Sequence, residues 1–157
     1  MTKVTKVVIN MGLGEAGKDK ASLARAMEEM AQVSGQKPKL ARAKVSVAEF
    51  KLRKGEVSAL VATLRGRRMK AFLEKLFKIV VPRLRDFRGL KVKGFDQAGN
   101  YNLGIAEQVV FPEVEAAKVG KARGLQVTIV NEADSVAGAR KLLEDMGARF
   151  EKEGANG

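Results

Sequence analysis

Gln36-Lys37-Pro38-Lys39-Leu40-Ala41-Arg42-Ala43 and, after a basic interval, Leu60-Val61-Ala62-Thr63-Leu64-Arg65-Gly66 decide the fold. Pro38 opens one run, near Lys39 to Ala43, and the second run ends at Arg65. Both read as strands, so the chain between them must turn back on itself. The connection is far longer than a two-residue turn and is read as a long basic hairpin. Near its tip stand Lys44, Lys51, Arg53 and Lys54, together with Phe50 and Leu52, apolar groups that a short solvent loop does not need. That combination marks a functional protrusion, set against the plainer reading of a small local apolar cluster.

The same neighbourhood concentrates the charge. Residues Gln36 to Lys93 hold 18 Lys and Arg against 4 Asp and Glu, leaving 12 against 14 for the rest of a chain whose net charge is +12. A basic field on one part of a small protein calls for a polyanion, because neutralising phosphates releases condensed counterions. Nucleic acid is the leading partner class.

On the N-terminal side, Val4 to Asn10 is rich in β-branched residues and reads as a central strand entering the glycine turn Asn10-Met11-Gly12-Leu13-Gly14. Asp19 or Ser22 can cap a helix with Leu23, Met27, Met30 and Ala31 on one face. Arg25, Glu28, Glu29 and Gln32 are expected outward, and Gly35 is the terminator. On the C-terminal side, Phe72, Leu73, Leu76, Phe77 and Val80 follow a helical spacing from Met69, with Lys70, Glu74, Lys75 and Lys78 opposite. Pro82 ends that helix, and Arg83, Arg85 and Arg88 follow as a basic patch or a plain solvated run. Gly94 to Gly104 reads as a turn-rich excursion anchored by Phe95 and Tyr101, and Glu107 to Phe111 as a strand closed by Pro112. Leu125, Val127 and Ile129 alternate with Gln126 and Thr128, giving a last strand with one buried face. Asp134 or Ser135 caps a final helix that carries Val136, Leu142, Leu143 and Met146 and ends at Gly147.

The order is therefore β-α-β-β-α-β-β-α. The class is α+β: a mainly antiparallel sheet with helices on one face, related to the split β-α-β plan, plus the hairpin. Residues 1–150 are expected to form a single RNA-binding domain and residues 151–157 a flexible tail. With 157 residues, 45% of them hydrophobic, the chain can bury a real core. There is no Cys and no His, which removes thiolate and imidazole chemistry and most zinc or haem ligand sets. No catalytic residue, metal or cofactor is expected. Lys3 and Lys6 interrupt the first ten residues, unlike a signal peptide, and no apolar segment reaches membrane-spanning length. A soluble intracellular protein with no membrane partner is expected.

Gly12-Leu13-Gly14-Glu15-Ala16-Gly17 matches the glycine spacing of a dinucleotide fingerprint between a strand and a helix. Against that reading, Glu15 would set a carboxylate beside a pyrophosphate, and no acidic residue follows the next strand to hold a ribose. A tight turn needing positive φ is the plainer account. A single-strand RNA reader of this plan would place aromatics on its central strands, whereas here there is no Trp and those strands are aliphatic. Folded RNA, read by shape and phosphate, fits better.

Seven short motifs occur in one order: Ile9-Asn10-Met11-Gly12, Gly35-Gln36-Lys37-Pro38, Phe50-Lys51-Leu52-Arg53, Thr63-Leu64-Arg65-Gly66, Arg85-Asp86-Phe87-Arg88-Gly89, Gly99-Asn100-Tyr101 and Phe111-Pro112-Glu113. Together they resemble the L-five family of ribosomal proteins, of bacterial or organellar type. The resemblance implies a structural, non-enzymatic role in the central protuberance of the large ribosomal subunit. The implied partners are 5S rRNA, large-subunit rRNA, P-site tRNA and neighbouring ribosomal proteins, including one of the small-subunit head. It implies that Asn10, Gln36, Lys37, Thr63 and Arg65 face 5S rRNA. It places Lys44, Ser46, Phe50, Lys51 and Arg53 in a loop directed at tRNA, and Arg83, Arg85 and Arg88 in a further basic RNA patch. Val45 and Glu49 stand where the family usually has a basic residue and a glycine. A cytoplasmic or organellar ribosome is the implied location. Two other classes compete: a nucleotide-dependent enzyme built on the glycine turn, and a general nucleic-acid-binding module outside the ribosome.

Overall fold

The computed structural model describes residues 3–14, 19–42, 57–84, 89–114 and 123–151. Strand β1 (Val4–Gly12) leads to helix α1 (Lys20–Ser34), strands β2 (Lys39–Arg42) and β3 (Val57–Leu64), and helix α2 (Gly66–Lys75). Then come β4 (Tyr101–Ile105), β5 (Leu125–Asn131) and α3 (Val136–Asp145). The strands form one antiparallel sheet in the order β2-β3-β1-β5-β4, so the first strand of the chain is its centre, as its β-branched sequence implied.

Strand side chains alternate between two faces, and here one face is apolar apart from the buried Asn131 at the end of β5. Val7, Ile9 and Met11 of β1, Leu60, Ala62 and Leu64 of β3, and Leu125, Val127 and Ile129 of β5 all point into the core. There they join Met30 and Val33 of α1, Phe72 and Leu73 of α2, and Leu143 of α3 in one continuous cluster. The helices thus cover one face of the sheet. Asp19 caps α1, its carboxylate accepting from the Ser22 N–H and hydroxyl, and Gly35 closes the helix at φ 79°. Ser135 caps α3 by accepting from the Gly138 N–H.

Helix α2 continues as a π-helical stretch over Leu76–Val80 and a 3-10 turn over Val81–Arg83. Pro82 has no N–H to offer the preceding turn. The Val81 N–H reaches back to the Leu76 carbonyl instead, and the helix ends where the proline predicted.

Two readings of the sequence are corrected. The fourth strand is Tyr101–Ile105, inside the stretch read as a turn-rich excursion, while Gln108–Val110 in the supposed strand forms a 3-10 turn. The cause is burial of side chains against the helices. Phe111 is buried and stacks on Phe72 at 6.0 Å, and the Gln108 amide donates to Glu29 at 3.0 Å. This segment is therefore drawn over the helical layer rather than into the sheet. The second correction is Glu29 itself, expected at the surface. It is buried, paired with the Arg123 guanidinium at 3.3 Å, while the Arg123 N–H donates to Gln108 at 2.7 Å. A charge can be buried when its partner is buried with it and its remaining lone pairs are satisfied.

Phe95 and Tyr101 are anchors as expected. Their rings meet edge to face at 4.8 Å, and the Tyr101 hydroxyl donates to the Lys91 carbonyl at 2.8 Å. Burial, with the Glu151 carboxylate as a lesser cause, pushes the Tyr101 phenol up to about 12. Among the described residues, no helix is long and apolar enough to cross a membrane.

Candidate nucleic-acid interface

The second face of the sheet is covered by no described element, and its register can be read row by row. Lys39, Val61, Asn10, Gln126 and Gly104 form one cross-strand row. Thr63, Val8, Thr128 and Asn102 form the next. Ala59 and Gly12 pair in the row beyond Asn10. The surface is built of amides, hydroxyls and small side chains, with Lys39 on the β2 strand at its side. The Thr128 hydroxyl donates to the Asn102 side-chain oxygen at 2.9 Å, which fixes one pair of these groups in place. Toward the β4 side, Asn10, Gly12, Asn102, Gly104 and Gln126 line a shallow trough of about 670 Å³.

The other end of the face runs into a basic edge at the start of α2. Arg65, Arg67, Arg68 and Lys70 are all exposed, and the first turn of this helix holds no acidic residue. The unpaired N–H groups of a helix start already favour negative charge, so cations there are intrinsically unfavourable. Helices α1 and α3 begin differently, with an oxygen cap. The Arg68 guanidinium donates to the Gln36 side-chain oxygen at 3.2 Å, and the Gln36 amide donates to the Thr63 carbonyl at 3.0 Å. Gln36 thereby braces the α1–β2 connection against β3 and α2.

Of the residues singled out in the sequence, the structure brings Asn10, Gln36, Lys37, Thr63 and Arg65 to this face and its edge. Asn10 and Thr63 are on the open face in adjacent rows, Gln36 is bonded to the Thr63 main chain, and Lys37 and Arg65 are exposed beside them. Arg83 lies apart. It follows the far end of α2 and its π-helical extension, roughly 25 Å along the helix axis from Gly66. Lys44, Ser46, Phe50, Lys51, Arg53, Arg85 and Arg88 fall outside the described residues. The sequence reading missed Lys39, Asn102, Gln126 and Thr128, which share the face. The alternation along Leu125 to Ile129 was the available signal for Gln126 and Thr128. Asn102 had none, because its strand was not recognised.

Of the glycine turn, Glu15, Ala16 and Gly17 fall outside the described residues. Gly14 adopts φ 55°, and Gly12 belongs to the strand.

Comparison with known proteins fits this arrangement. Residues 1–53 match the family model described as ribosomal protein L5, and residues 57–150 match the model for the C-terminus of the same ribosomal family. The large ribosomal subunit protein uL5 of Oceanobacillus iheyensis is 47% identical over 150 residues, covering 96% of this chain and 84% of that protein. The uL5 of Brevibacillus brevis is 48% identical over 150 residues, with 96% and 83% covered. That of Synechococcus sp. is 47% identical over 148 residues, with 94% and 83% covered. With its order of strands and helices, its open sheet face and both family models in register along it, this chain belongs to the ribosomal protein L5 family, structural components of the ribosome rather than enzymes.

Proposed function

We propose that the chain is a structural protein of the large ribosomal subunit that binds 5S rRNA through the open face of its sheet and the basic edge at the start of α2. One observation carries this reading: an uncovered face of mostly neutral amides and hydroxyls, with Lys39 on its outer strand, ends at a helix start crowded with cations and lacking any acidic residue in its first turn. That helix start is unfavourable for the free protein and favourable once phosphates lie against it. Residues 1–150 act as a single binding unit in the cytoplasmic ribosome. The second reading concerns the basic hairpin, whose Lys44, Ser46, Phe50, Lys51 and Arg53 we assign to contact with P-site tRNA and the small-subunit head. Family membership and the hairpin's composition support that assignment. Arg83, Arg85 and Arg88 form the further rRNA patch, and Arg83 stands at the far end of the helical stretch from the start of α2.

Binding of the purified protein to 5S rRNA, titrated against salt, tests the first reading. With six or more phosphate contacts, affinity falls roughly a thousandfold between 50 and 200 mM salt. Thr63→Ala and Arg65→Ala each weaken binding by about 1–3 kcal/mol, while the unfolding midpoint of the free protein stays within experimental error. Wild-type affinity in both variants, or equal affinity for 5S rRNA and an unrelated duplex, rejects the assignment. Replacing residues 46–54 by a short glycine turn leaves 5S binding in place and removes the tRNA crosslink on reconstituted subunits. An unchanged crosslink rejects the hairpin's role.

A further inference from the structure

Two lysines of the α2 stretch pair with carboxylates, and they are not alike. Lys78 meets Glu74 at 3.0 Å with both side chains exposed, the solvated pair that helical spacing produces. Lys75, expected on the same outward face, is drawn inward. Its side chain is 17% exposed, and its ammonium pairs with Glu113 at 2.9 Å and stands 5.4 and 5.6 Å from the Phe72 and Phe111 ring centres. It also donates to the Val33 carbonyl, in the last turn of α1, at 2.7 Å. Methionine or leucine would fill a place beside two rings without withdrawing a cation from water, so packing does not call for lysine here. Nor does the ending of α1, which Gly35 closes by donating to the Ala31 carbonyl at 2.8 Å. What lysine adds is a charged donor at a helix end whose own last turn holds no basic residue.

We infer that Lys75 is a positioning residue for the basic edge at the start of α2, acting through Gln36, three residues beyond the carbonyl it holds. The inference rests on the 5S rRNA reading above and adds to it a side chain packed among the helices, which itself touches no RNA. Val33 and Gln36 are joined by a short bonded turn. Between them the Ser34 hydroxyl accepts from the Gln36 N–H at 3.3 Å and lies 2.8 Å from the Met30 carbonyl. Gln36 then uses both ends of its amide, donating to the Thr63 carbonyl at 3.0 Å and accepting from Arg68 at 3.2 Å. An arginine is a long side chain with many rotamers, and ordering it in the free protein removes a cost that would otherwise fall on the complex. Without the anchor at Val33 the end of α1 loosens, the Gln36 amide leaves Thr63, and Arg68 is released to solvent. Glu113 supplies the counter-charge that lets the ammonium be buried, and stands outside the line of bonds to Gln36.

The test compares Lys75→Met, Glu113→Gln and Gln36→Ala in the full chain, with 5S rRNA as the probe, well below the melting temperature of each variant. Lys75→Met and Gln36→Ala should each bind about tenfold more weakly. The slope of affinity against salt should not change in Lys75→Met, because Lys75 makes no phosphate contact. Adding Lys75→Met to Gln36→Ala should weaken binding no further, and losses that simply add overturn the inference. Glu113→Gln keeps the bond to Val33 and should bind within about twofold of the wild type. A loss there as large as in Lys75→Met overturns the inference too, because the stability of the helical layer would then govern binding. Should Lys75→Met not fold, the shorter, uncharged Lys75→Gln takes its place with the same expected results. The free protein gives a readout that needs no RNA. By nuclear magnetic resonance, the Gln36 side-chain amide signals should move toward those of a solvent-exposed glutamine in Lys75→Met and stay in place in Glu113→Gln. Unmoved signals in Lys75→Met overturn the inference and leave the 5S reading intact. A wild-type protein that does not prefer 5S rRNA to an unrelated duplex removes both readings together.

Discussion

The two faces of the sheet are made by the same strands, residue by alternate residue, yet they obey different constraints. On the covered face Ile9, Leu64, Val127 and Ile129 are buried with the helices, and any change of volume is felt by the neighbours that pack around it. On the open face Asn10, Gln126 and Gly104 form a row of exposed residues with few packed neighbours to disturb. Stability is therefore concentrated on one side of a single layer, and the freedom to specify a partner on the other. Substitutions should separate the two properties cleanly.

The largest effect is expected where a charge has crossed to the covered side. Glu29→Ala leaves Arg123 buried without its counter-charge and strips an acceptor from Gln108, and should cost about 3–5 kcal/mol in urea denaturation. A variant of near wild-type stability would mean that the pair is solvated in solution. Next come neighbours on β1. Ile9→Ala should cost about 2–5 kcal/mol, whereas Asn10→Ala, one residue along and facing outward, should change stability by no more than about 0.5 kcal/mol. Equal losses at both sites would erase the distinction between the faces.

Tyr101 sharpens the contrast through pH. Its phenol is pushed up to about 12 in the folded chain against 10.0 ordinarily. The folded state therefore holds this proton more tightly, and the associated stability is complete below pH 10 and is lost as pH climbs to about 12. Tyr101→Phe should flatten that alkaline loss relative to the wild type, although it removes the bond to the Lys91 carbonyl. Parallel alkaline limbs in the two proteins would count against burial as the cause. The smallest effect is expected at the basic edge. Arg67→Glu places a carboxylate in the first turn of α2 and should raise stability by about 0.3–1 kcal/mol, while 5S rRNA binding weakens. Stability and binding moving together would contradict the opposition between them.

The limits of the sequence reading follow from the same contrast. Covered-face residues announce themselves by alternation or by helical spacing, which is why β1, β3, β5 and all three helices were recognised in order. Strand β4 was missed because Asn102 and Gly104 are poor strand formers. What holds them in the sheet is pairing with Thr128 and Gln126, more than twenty residues away in the chain. Val109 and Val110 misled in the opposite direction, being β-branched residues in a segment that Gln108 and Phe111 pull over the helices. Glu29 could not be read as buried without Arg123, which lies 94 positions away. On the open face polarity alone does not distinguish a contact from ordinary solvation. Asn10, Gln36, Thr63 and Arg65 were reached through the family motifs, and Asn102 only through the register.

The central place of β1 also sets a timetable. Asn10 lies between Val61 and Gln126, and Val8 between Thr63 and Thr128, so the rows of the open face join residues from distant parts of the chain. During synthesis β1 emerges about a hundred residues before its β5 partner, and pairings this distant in sequence form slowly. No partial product released before β5 can present the full row. On the reading proposed above, capture by RNA reports that the chain has been made and folded through β5, so copies truncated before that strand are rejected without a separate inspection step.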